Sequence, residues 1–186
     1  MNEIEQIKKD LKNILSEKRY LHSIGTMKSA EELAKYYRVN VETAKIAGLI
    51  HDIAKEMTDE EKLEYIKKYN IKIDKIEQKN LGLLHAKIGA SIAKEKYNLS
   101  KEIQKAIEYH TTGNPNMNLL DKIVFVADKI EETRSYPDLE VVRNLAYENI
   151  NKCVVYIIEF AIKKAKERKE EPHFNSILTV NKLKCL

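Results

Sequence analysis

Six residues that are able to bind a metal occur in or beside apolar stretches of this sequence: His22, His51, Asp52, His85, His110 and Asp128. A single buried histidine usually has a structural explanation, but a group of four histidines with two enclosed aspartates is harder to explain in that way. A buried carboxylate costs several kcal/mol unless it is paired, and a divalent cation would offset that cost. Imidazole and carboxylate ligands without a thiolate suit iron, manganese, zinc or cobalt.

Helices are the elements that must position these residues. Apolar residues recur at three-to-four spacing, which predicts amphipathic helices. Thr58 and Glu61 have the spacing of a capping box, Ser100 is predicted to be an N-cap, and residues 111–116 (TTGNPN) are typical of a loop. The predicted helices cover residues 4–15, 30–37, 41–54, 59–69, 83–97, 100–110, 117–134 and 138–169. The tail after Pro172 shows no helical stripe, and we expect it to fold back over the helices.

The composition agrees with an all-α fold in one domain. The chain has 186 residues, 43% of them hydrophobic and 33% charged, with only 5 glycines and 3 prolines. This balance excludes a disordered chain and disfavours a turn-rich β-sandwich. Cys153 and Cys185 cannot form a disulfide framework, and no secretory segment is recognised, so we expect a cytoplasmic protein.

The charge and hydropathy limit the classes of partner. A formal net charge of +4 tolerates an anionic substrate but does not by itself indicate nucleic-acid binding. No window of about 18 apolar residues is present, so we expect no membrane insertion. We therefore expect a small-molecule partner, no nucleic acid and no membrane. The sequence is compatible with a homodimer but does not determine the oligomeric state.

The six residues stand in motifs that resemble a known family. These are RYLHS at 19–23, AGLIHDIAK at 47–55, LLHAKIGA at 83–90, AIEYHTTG at 106–113 and VADKIEETR at 126–134. Together they resemble the HD-domain metal-dependent phosphohydrolases, whose fold is a helical bundle around the metal, and within them the YqeK branch. The resemblance implies one HD domain over residues 1–186, with a core at about 19–143 and a C-terminal helix and tail at 144–186.

The same resemblance implies an activity and a set of metal ligands. The YqeK branch hydrolyses diadenosine tetraphosphate (Ap4A) symmetrically to two molecules of ADP. The ligands carried over are His22, His51, Asp52 and Asp128. His85 and His110 would hold a second ion or, if only one ion binds, contact phosphate oxygens or relay protons. The expected cofactor is a transition metal, with iron preferred and manganese or cobalt as alternatives, and one or two ions bound. The residues expected to act in catalysis are Asp52, Lys55, His85 and His110.

A polyphosphate substrate also needs cationic and N–H donors. Arg19 lies three residues before His22, and Lys55 lies three after Asp52, so on helices both share a face with the proposed ligands. The hydroxyls of Thr111 and Thr112 and the backbone of Gly113 are further phosphate-binding candidates. By resemblance alone, the substrate-binding set also includes Arg134, His173 and Asn175.

Three other functions stay open from the sequence. The metal motif sets the reaction and the pocket sets the substrate, so a nucleotidase or a (d)NTP phosphohydrolase of the HD superfamily is the nearest alternative. A non-catalytic nucleotide sensor is a different class, and the intact set of six ligand-type residues argues against it. A structural or adaptor bundle is another class, and the metal content of the purified protein would distinguish it from a metalloenzyme.

Overall fold

The computed structural model describes residues 3–185, and within that range it contains helices and no strands. The all-α prediction is therefore confirmed. The eleven α-helices of the described residues are α1 (Glu3–Ile14), α2 (Glu17–Tyr37), α3 (Val41–Ile50), α4 (Asp59–Tyr69), α5 (Lys75–Lys79), α6 (Leu84–Glu95), α7 (Lys101–Tyr109), α8 (Leu119–Ile130), α9 (Leu139–Glu148), α10 (Ile150–Glu167) and α11 (Phe174–Lys184). A short 3-10 turn (Leu81–Leu83) precedes α6. The predicted domain limits also include residues 1, 2 and 186, which lie outside the described residues.

Two helix starts occur where the capping patterns predict them. The Thr58 side chain accepts a hydrogen bond from the Glu61 N–H, and the Glu61 carboxylate accepts one from the Thr58 N–H. At the start of α7, the Ser100 hydroxyl accepts from the Ile103 N–H. These bonds satisfy N–H groups that have no partner within the first turn of a helix.

Three predicted helices end or break well inside their predicted limits. The segment 117–134 is helical only over Leu119–Ile130, and the other two contain a break within an apolar stretch. The segment 138–169 is divided into α9 and α10 at Asn149, whose extended backbone lets its side chain cap the Lys152 N–H. The segment 41–54 is helical only to Ile50, and residues 51–56 form turns. An apolar pattern continues through both breaks, so periodicity alone does not reveal them.

The tail after Pro172 folds back over the helices as predicted, but its secondary structure was not predicted. The tail does fold back, because α11 packs against α10 and buries Thr179, Val180 and Leu183. It is nevertheless helical, which the sequence pattern did not indicate. Its apolar face is narrow, so packing against α10 rather than its own periodicity accounts for the helix.

The centre of the bundle is formed by α2, which packs against α3 and α8. Gly48 allows α2 and α3 to approach closely, since a Cβ atom at this position would lie 3.0 Å from the Cβ of Ala30 and from the Thr26 carbonyl oxygen. This close packing brings the C-terminal end of α3 against the middle of α2. None of the described helices is both long and apolar enough to cross a membrane.

One buried carboxyl group outside the candidate site affects stability. Asp121 closes the capping box of α8, where its Oδ2 atom accepts from the Asn118 N–H, but its buried Oδ1 atom has no hydrogen-bond partner. Burial raises the pKa of this carboxyl to about 6. The folded chain therefore holds the proton more tightly than the unfolded chain, and the free energy of unfolding falls as the pH rises from about 4 to about 6.

We expect Asp121→Asn to stabilise the fold above the raised pKa, because the amide oxygen keeps the cap without a buried charge. The free energy of unfolding should rise by about 1 to 2 kcal/mol near neutral pH. Urea unfolding at about pH 7.5 and about pH 4 measures this, with the acidic condition as the control. A gain of the same size at both pH values would contradict the assignment to ionisation.

Candidate metal centre

The six sequence-predicted ligand residues meet in the buried centre of the bundle. They come from α2 (His22), the turn after α3 (His51 and Asp52), α6 (His85), the turn after α7 (His110) and α8 (Asp128). Each is at most 5% exposed. We call these six residues the histidine–aspartate cluster.

Each of the four histidine rings in the cluster forms a hydrogen bond through its Nδ1 atom. For three of them, Nδ1 donates to the backbone carbonyl oxygen three residues earlier: His51 to Gly48 (2.8 Å), His85 to Gly82 (2.5 Å) and His110 to Ile107 (2.6 Å). The fourth, His22, donates from Nδ1 to the Glu131 carboxylate at 3.0 Å. Because these partners only accept, the proton is assigned to Nδ1 and each Nε2 is left with a lone pair.

The four Nε2 atoms converge. The Nε2 atoms of His22 and His51 are 3.3 Å apart, and those of His85 and His110 are 3.1 Å apart. Two groups of donor atoms are close enough to share an ion: His22, His51 and Asp128, and His51, Asp52 and His110. His51 belongs to both groups.

The donor set fits a cation. Asp52 Oδ1 lies 3.3 Å from the Nε2 of His85 and 3.4 Å from that of His110, yet it accepts no hydrogen bond among the described residues. Lone pairs facing one another in a buried space repel unless a positive centre lies between them. Nitrogen and oxygen ligands without sulfur are those of iron, manganese, zinc or cobalt sites. The cluster could therefore hold a divalent metal.

Ionisation of the cluster supports the same conclusion. Burial opposes the charge on Asp52, but the histidines around it, His51 above all, hold the pKa of its carboxyl well below the usual range. The pKa of the Asp128 carboxyl is also held well below its usual range, because Lys129, His22 and His51 outweigh the cost of burial. Burial lowers the pKa of His110 to about 4, so its ring is neutral near pH 7. Burial opposes charge on the His51 ring, but the Asp52 and Asp128 carboxylates raise its pKa. Ionised carboxylates and neutral imidazoles are the forms that bind metals, so a metal would displace a proton from His51.

Cations surround the cluster. The Arg19 guanidinium donates to Asp52 Oδ2 at 2.8 Å, and Lys55 Nζ lies 3.3 Å from His85 Nε2. Burial lowers the pKa of the Lys55 ammonium, although the Asp52 charge acts in the opposite direction. The structure thus places Arg19 at the Asp52 carboxylate and Lys55 at the His85 ring, so both reach the cluster as their spacing predicts, even though Lys55 stands in a turn and not in a helix.

Arg134 also reaches the cluster, which the sequence indicated only by resemblance. Helix α8 ends at Ile130, and a turn closed by a hydrogen bond from the Arg134 N–H to the Glu131 carbonyl reverses the chain. The guanidinium then donates to the Asp128 carboxylate and lies 3.3 Å from His22 Nε2. An ideal helix through residue 134 would have placed Arg134 away from Asp128.

The loop after α7 divides into two parts. The Thr111 hydroxyl lies 3.2 Å from His85 Nε2 and 3.1 Å from His110 Nε2, so it contacts the cluster. Gly113 has a φ of 70°, and a Cβ atom there would lie 3.0 Å from the Ile158 side chain, so it faces α10. Its N–H donates to the Tyr109 carbonyl oxygen. The contact of Gly113 with substrate stays a prediction.

The tail candidates lie beside this loop. Asn175 and His173 line a space of about 20 Å³ together with Thr111 and Thr112, which is room for a water molecule. Both ring nitrogens of His173 are engaged: Nε2 lies 2.9 Å from an Asp74 oxygen, and Nδ1 accepts from the Asn175 N–H. The structure brings these residues near Thr111, and their role in substrate binding stays a prediction.

Two residues at this centre were missed from the sequence. Lys129 Nζ lies 2.5 Å from Asp128 Oδ2. Glu131 is fully buried, and its carboxylate accepts from His22 Nδ1 and from the Thr133 N–H and hydroxyl. A ligating histidine almost always donates its second N–H to an acceptor, so a search for a partner of His22 could have singled out a carboxylate near Asp128.

The fold and the cluster agree with comparisons to known proteins. The family model for the HD domain matches residues 19–133, so the chain belongs to the HD domain family. A protein from Halalkalibacterium halodurans named symmetrical bis(5'-nucleosyl)-tetraphosphatase is 34% identical over 175 residues, covering 91% of this chain and 90% of the relative. A Bacillus subtilis protein of the same name is 36% identical over 150 residues, covering 80% of each chain. The family resemblance inferred from the motifs is thus confirmed.

One solved structure is similar to this chain over nearly the whole length of both. This Clostridium acetobutylicum protein, described as a "predicted HD superfamily hydrolase involved in NAD metabolism", matches with a TM-score of 0.94 at 36% identity. The match covers 97% of this chain and 96% of that one.

The Glu131 contact leads to a prediction about metal affinity. Glu131→Gln keeps an oxygen acceptor for His22 but removes the negative charge that fixes the ring and raises its basicity. Loss of such a partner typically weakens metal binding by about 10- to 100-fold. Calorimetric titration of the metal-free protein with Mn²⁺ measures the effect.

Glu132→Gln is the matched control. The Glu132 side chain is 63% exposed and pairs with Lys28, so the same chemical change next to Glu131 should leave the affinity unchanged. Equal metal affinities in the two variants would show that Glu131 does not support His22. Circular dichroism of both variants confirms that they are folded.

Proposed function

We propose that the protein is a metal-dependent phosphoric anhydride hydrolase that cleaves diadenosine tetraphosphate symmetrically to two molecules of ADP. The observation that carries this proposal is the buried set of inward-facing Nε2 and carboxylate atoms with cationic side chains around it. Membership of the HD domain family supports the hydrolytic class. The names of relatives that match most of the chain support the substrate.

We propose all six residues of the histidine–aspartate cluster as metal ligands, with one or two ions held. Iron is the preferred metal because four imidazoles and two carboxylates without thiolate suit it, and manganese and cobalt fit the same donors. A metal bound here would supply Lewis acidity toward a phosphoryl oxygen and would lower the pKa of a coordinated water. The Nε2 atom of His51 can bind only one ion, so a second ion would take Asp52, His85 and His110, whose donor atoms lie 3.1 to 3.4 Å apart.

The protein's own residues would bind and orient the polyphosphate. Arg19 and Lys55 contact the cluster on the Asp52 side, and Arg134 contacts it on the Asp128 side. A phosphate bound at the cluster would therefore have cations on both sides. The Thr111 hydroxyl can donate to a phosphate oxygen. Such fixed donors act most strongly where charge develops on the phosphoryl group and on the leaving oxygen. Asp52, Lys55, His85 and His110 are the residues that we propose to act at the reacting phosphate.

Symmetric cleavage defines which bond breaks. Water adds to the phosphorus on one side of the central anhydride oxygen, and that oxygen leaves with the second ADP. Reaction in ¹⁸O-labelled water should therefore give ADP with one label in half of the product molecules, located on the β-phosphate. Mass spectrometry of the product measures this. Formation of AMP and ATP would exclude the symmetric reaction, and faster release of phosphate or triphosphate from mononucleotides would favour the nucleotidase alternative.

Removing a ligand carboxylate should abolish both metal binding and turnover. Asp52→Asn replaces the carboxylate whose Oδ1 atom faces two histidine lone pairs. We expect less metal per chain in elemental analysis, and a loss of activity that added metal does not restore. Asp59→Asn changes a carboxylate on the exposed side of α4 and should behave as wild type. Asp52→Asn with wild-type metal content and wild-type turnover would contradict the ligand assignment.

Removing a flanking cation should impair the binding or turnover of the substrate without removing the metal. Arg19→Ala or Lys55→Ala should lower kcat/KM for Ap4A by roughly 10- to 100-fold, corresponding to about 1.5 to 3 kcal/mol for a charge-assisted contact. Lys94→Ala is the control, since the Lys94 side chain is 65% exposed and pairs with Glu95. Steady-state kinetics and elemental analysis test this together. Unchanged kinetics in Arg19→Ala and Lys55→Ala would show that these two residues do not bind the substrate.

A further inference from the structure

A cavity of about 500 Å³ adjoins the Asp128 side of the cluster. We call it the basic cleft. Its walls carry four cationic side chains, three aromatic rings and one acidic residue, and they include Lys129, Arg134, Tyr136, Phe160, Lys164 and Arg168. A volume of this size is within the range of small-molecule sites.

Two cationic side chains connect the basic cleft with the candidate metal centre. Lys129 and Arg134 line the cleft, and the same two side chains contact the Asp128 carboxylate. A ligand in the cleft can therefore share these cations with a group held at the cluster. The other cavities described for residues 3–185 that exceed 400 Å³ have no lining residue that contacts the cluster.

The contacts of Thr111 and Arg134 with the cluster show that the cleft lies at one end of it. Thr111 contacts His85 and His110, which face Asp52, whereas Arg134 contacts His22 and Asp128. Thr111 and Arg134 thus mark two different ends. A substrate that is cut at its central bond needs room for one half at each end.

The chemistry of the cleft suits a nucleoside with its nearest phosphate. Phe160 is 40% exposed, and Lys164 Nζ lies 5.7 Å from its ring centroid, so an aromatic face and a cation stand side by side. A base can stack on an aromatic ring while cations contact phosphate, as in sites for single-stranded nucleic acids. Lys164 and Arg168 also pair with Glu167 and Glu170, but exposed ion pairs are weak and can yield to a phosphate.

We propose that the basic cleft binds one nucleoside half of the dinucleoside tetraphosphate, with the base against Phe160 and the adjacent phosphate near Lys164 and Arg168. This inference rests on the proposed function and adds a second nucleoside subsite to it. The substrate is then held on both sides of the bond that breaks. The cleft favours a dinucleotide over a mononucleotide, which can fill only one side.

Two variants of the metal-loaded full-length chain test the cleft. Phe160→Ala removes the aromatic face, and Lys164→Ala removes one charge. Each should raise KM for Ap4A by about tenfold, because a subsite distant from the reacting phosphorus contributes to binding in the ground state and the transition state alike. The dissociation constant of a non-hydrolysable Ap4A analogue, measured by calorimetry, should rise by the same factor.

Matched controls lie on α2, away from the cleft. Tyr36→Ala removes an aromatic ring that is 56% exposed, and Lys35→Ala removes a lysine paired with Glu31, as Lys164 is paired with Glu167. Both controls should bind the analogue like the wild type. If Phe160→Ala does not fold, Phe160→Leu keeps most of the apolar volume without the ring and serves in its place.

The result separates the two proposals. If wild-type protein forms no ADP from Ap4A, the proposed function fails regardless of the cleft. If wild-type protein forms ADP, and the Phe160 and Lys164 variants bind the analogue as tightly as the controls, the basic cleft is not a nucleoside subsite and only this inference is overturned.

Discussion

The hydrogen bonds that fix the histidine protons on Nδ1 determine the character of the whole centre. His51 and His110 stand at the C-terminal ends of α3 and α7, where carbonyl oxygens of the last turn lack the N–H four residues ahead that bonds them inside a helix; the Ile107 carbonyl accepts the His110 N–H at 3.4 Å instead. Each ring donates to such a carbonyl and so turns its Nε2 lone pair inward. The ends of two helices therefore assign the protonation of the rings, and the bundle brings the lone pairs together.

This arrangement places two ionised carboxylates in a buried space, where uncompensated charges are strongly destabilising. Arg19 contacts Asp52, and Lys129 and Arg134 contact Asp128, so each carboxylate has a cationic neighbour in the protein itself. The cations that stabilise the cluster are also the ones at hand for a polyanionic substrate, because they are partly exposed.

The sequence predicts the cluster better than it predicts the surroundings. Histidines and aspartates in apolar segments are unusual enough to be recognised wherever the chain later folds, and the helical pattern follows from apolar spacing. The position of Arg134 depends on where α8 ends, and the contact of Glu131 with His22 spans 109 residues. The helix of the tail depends on packing against α10. Features that depend on a helix end or on tertiary packing leave little trace in local periodicity.

The end of α8 links the candidate metal centre to the basic cleft. The last carbonyl oxygens of a helix need partners from elsewhere, and here the chain beyond the helix provides them. The donors are Arg134 Nε to Asp128, the Tyr136 hydroxyl to Lys129, Arg143 Nε to Ile130 and the Arg134 N–H to Glu131. Arg134 and Tyr136 thus cap the helix that carries Asp128 and also line the cleft. A change in the turn after α8 would therefore alter the Asp128 side of the cluster and the shape of the cleft together.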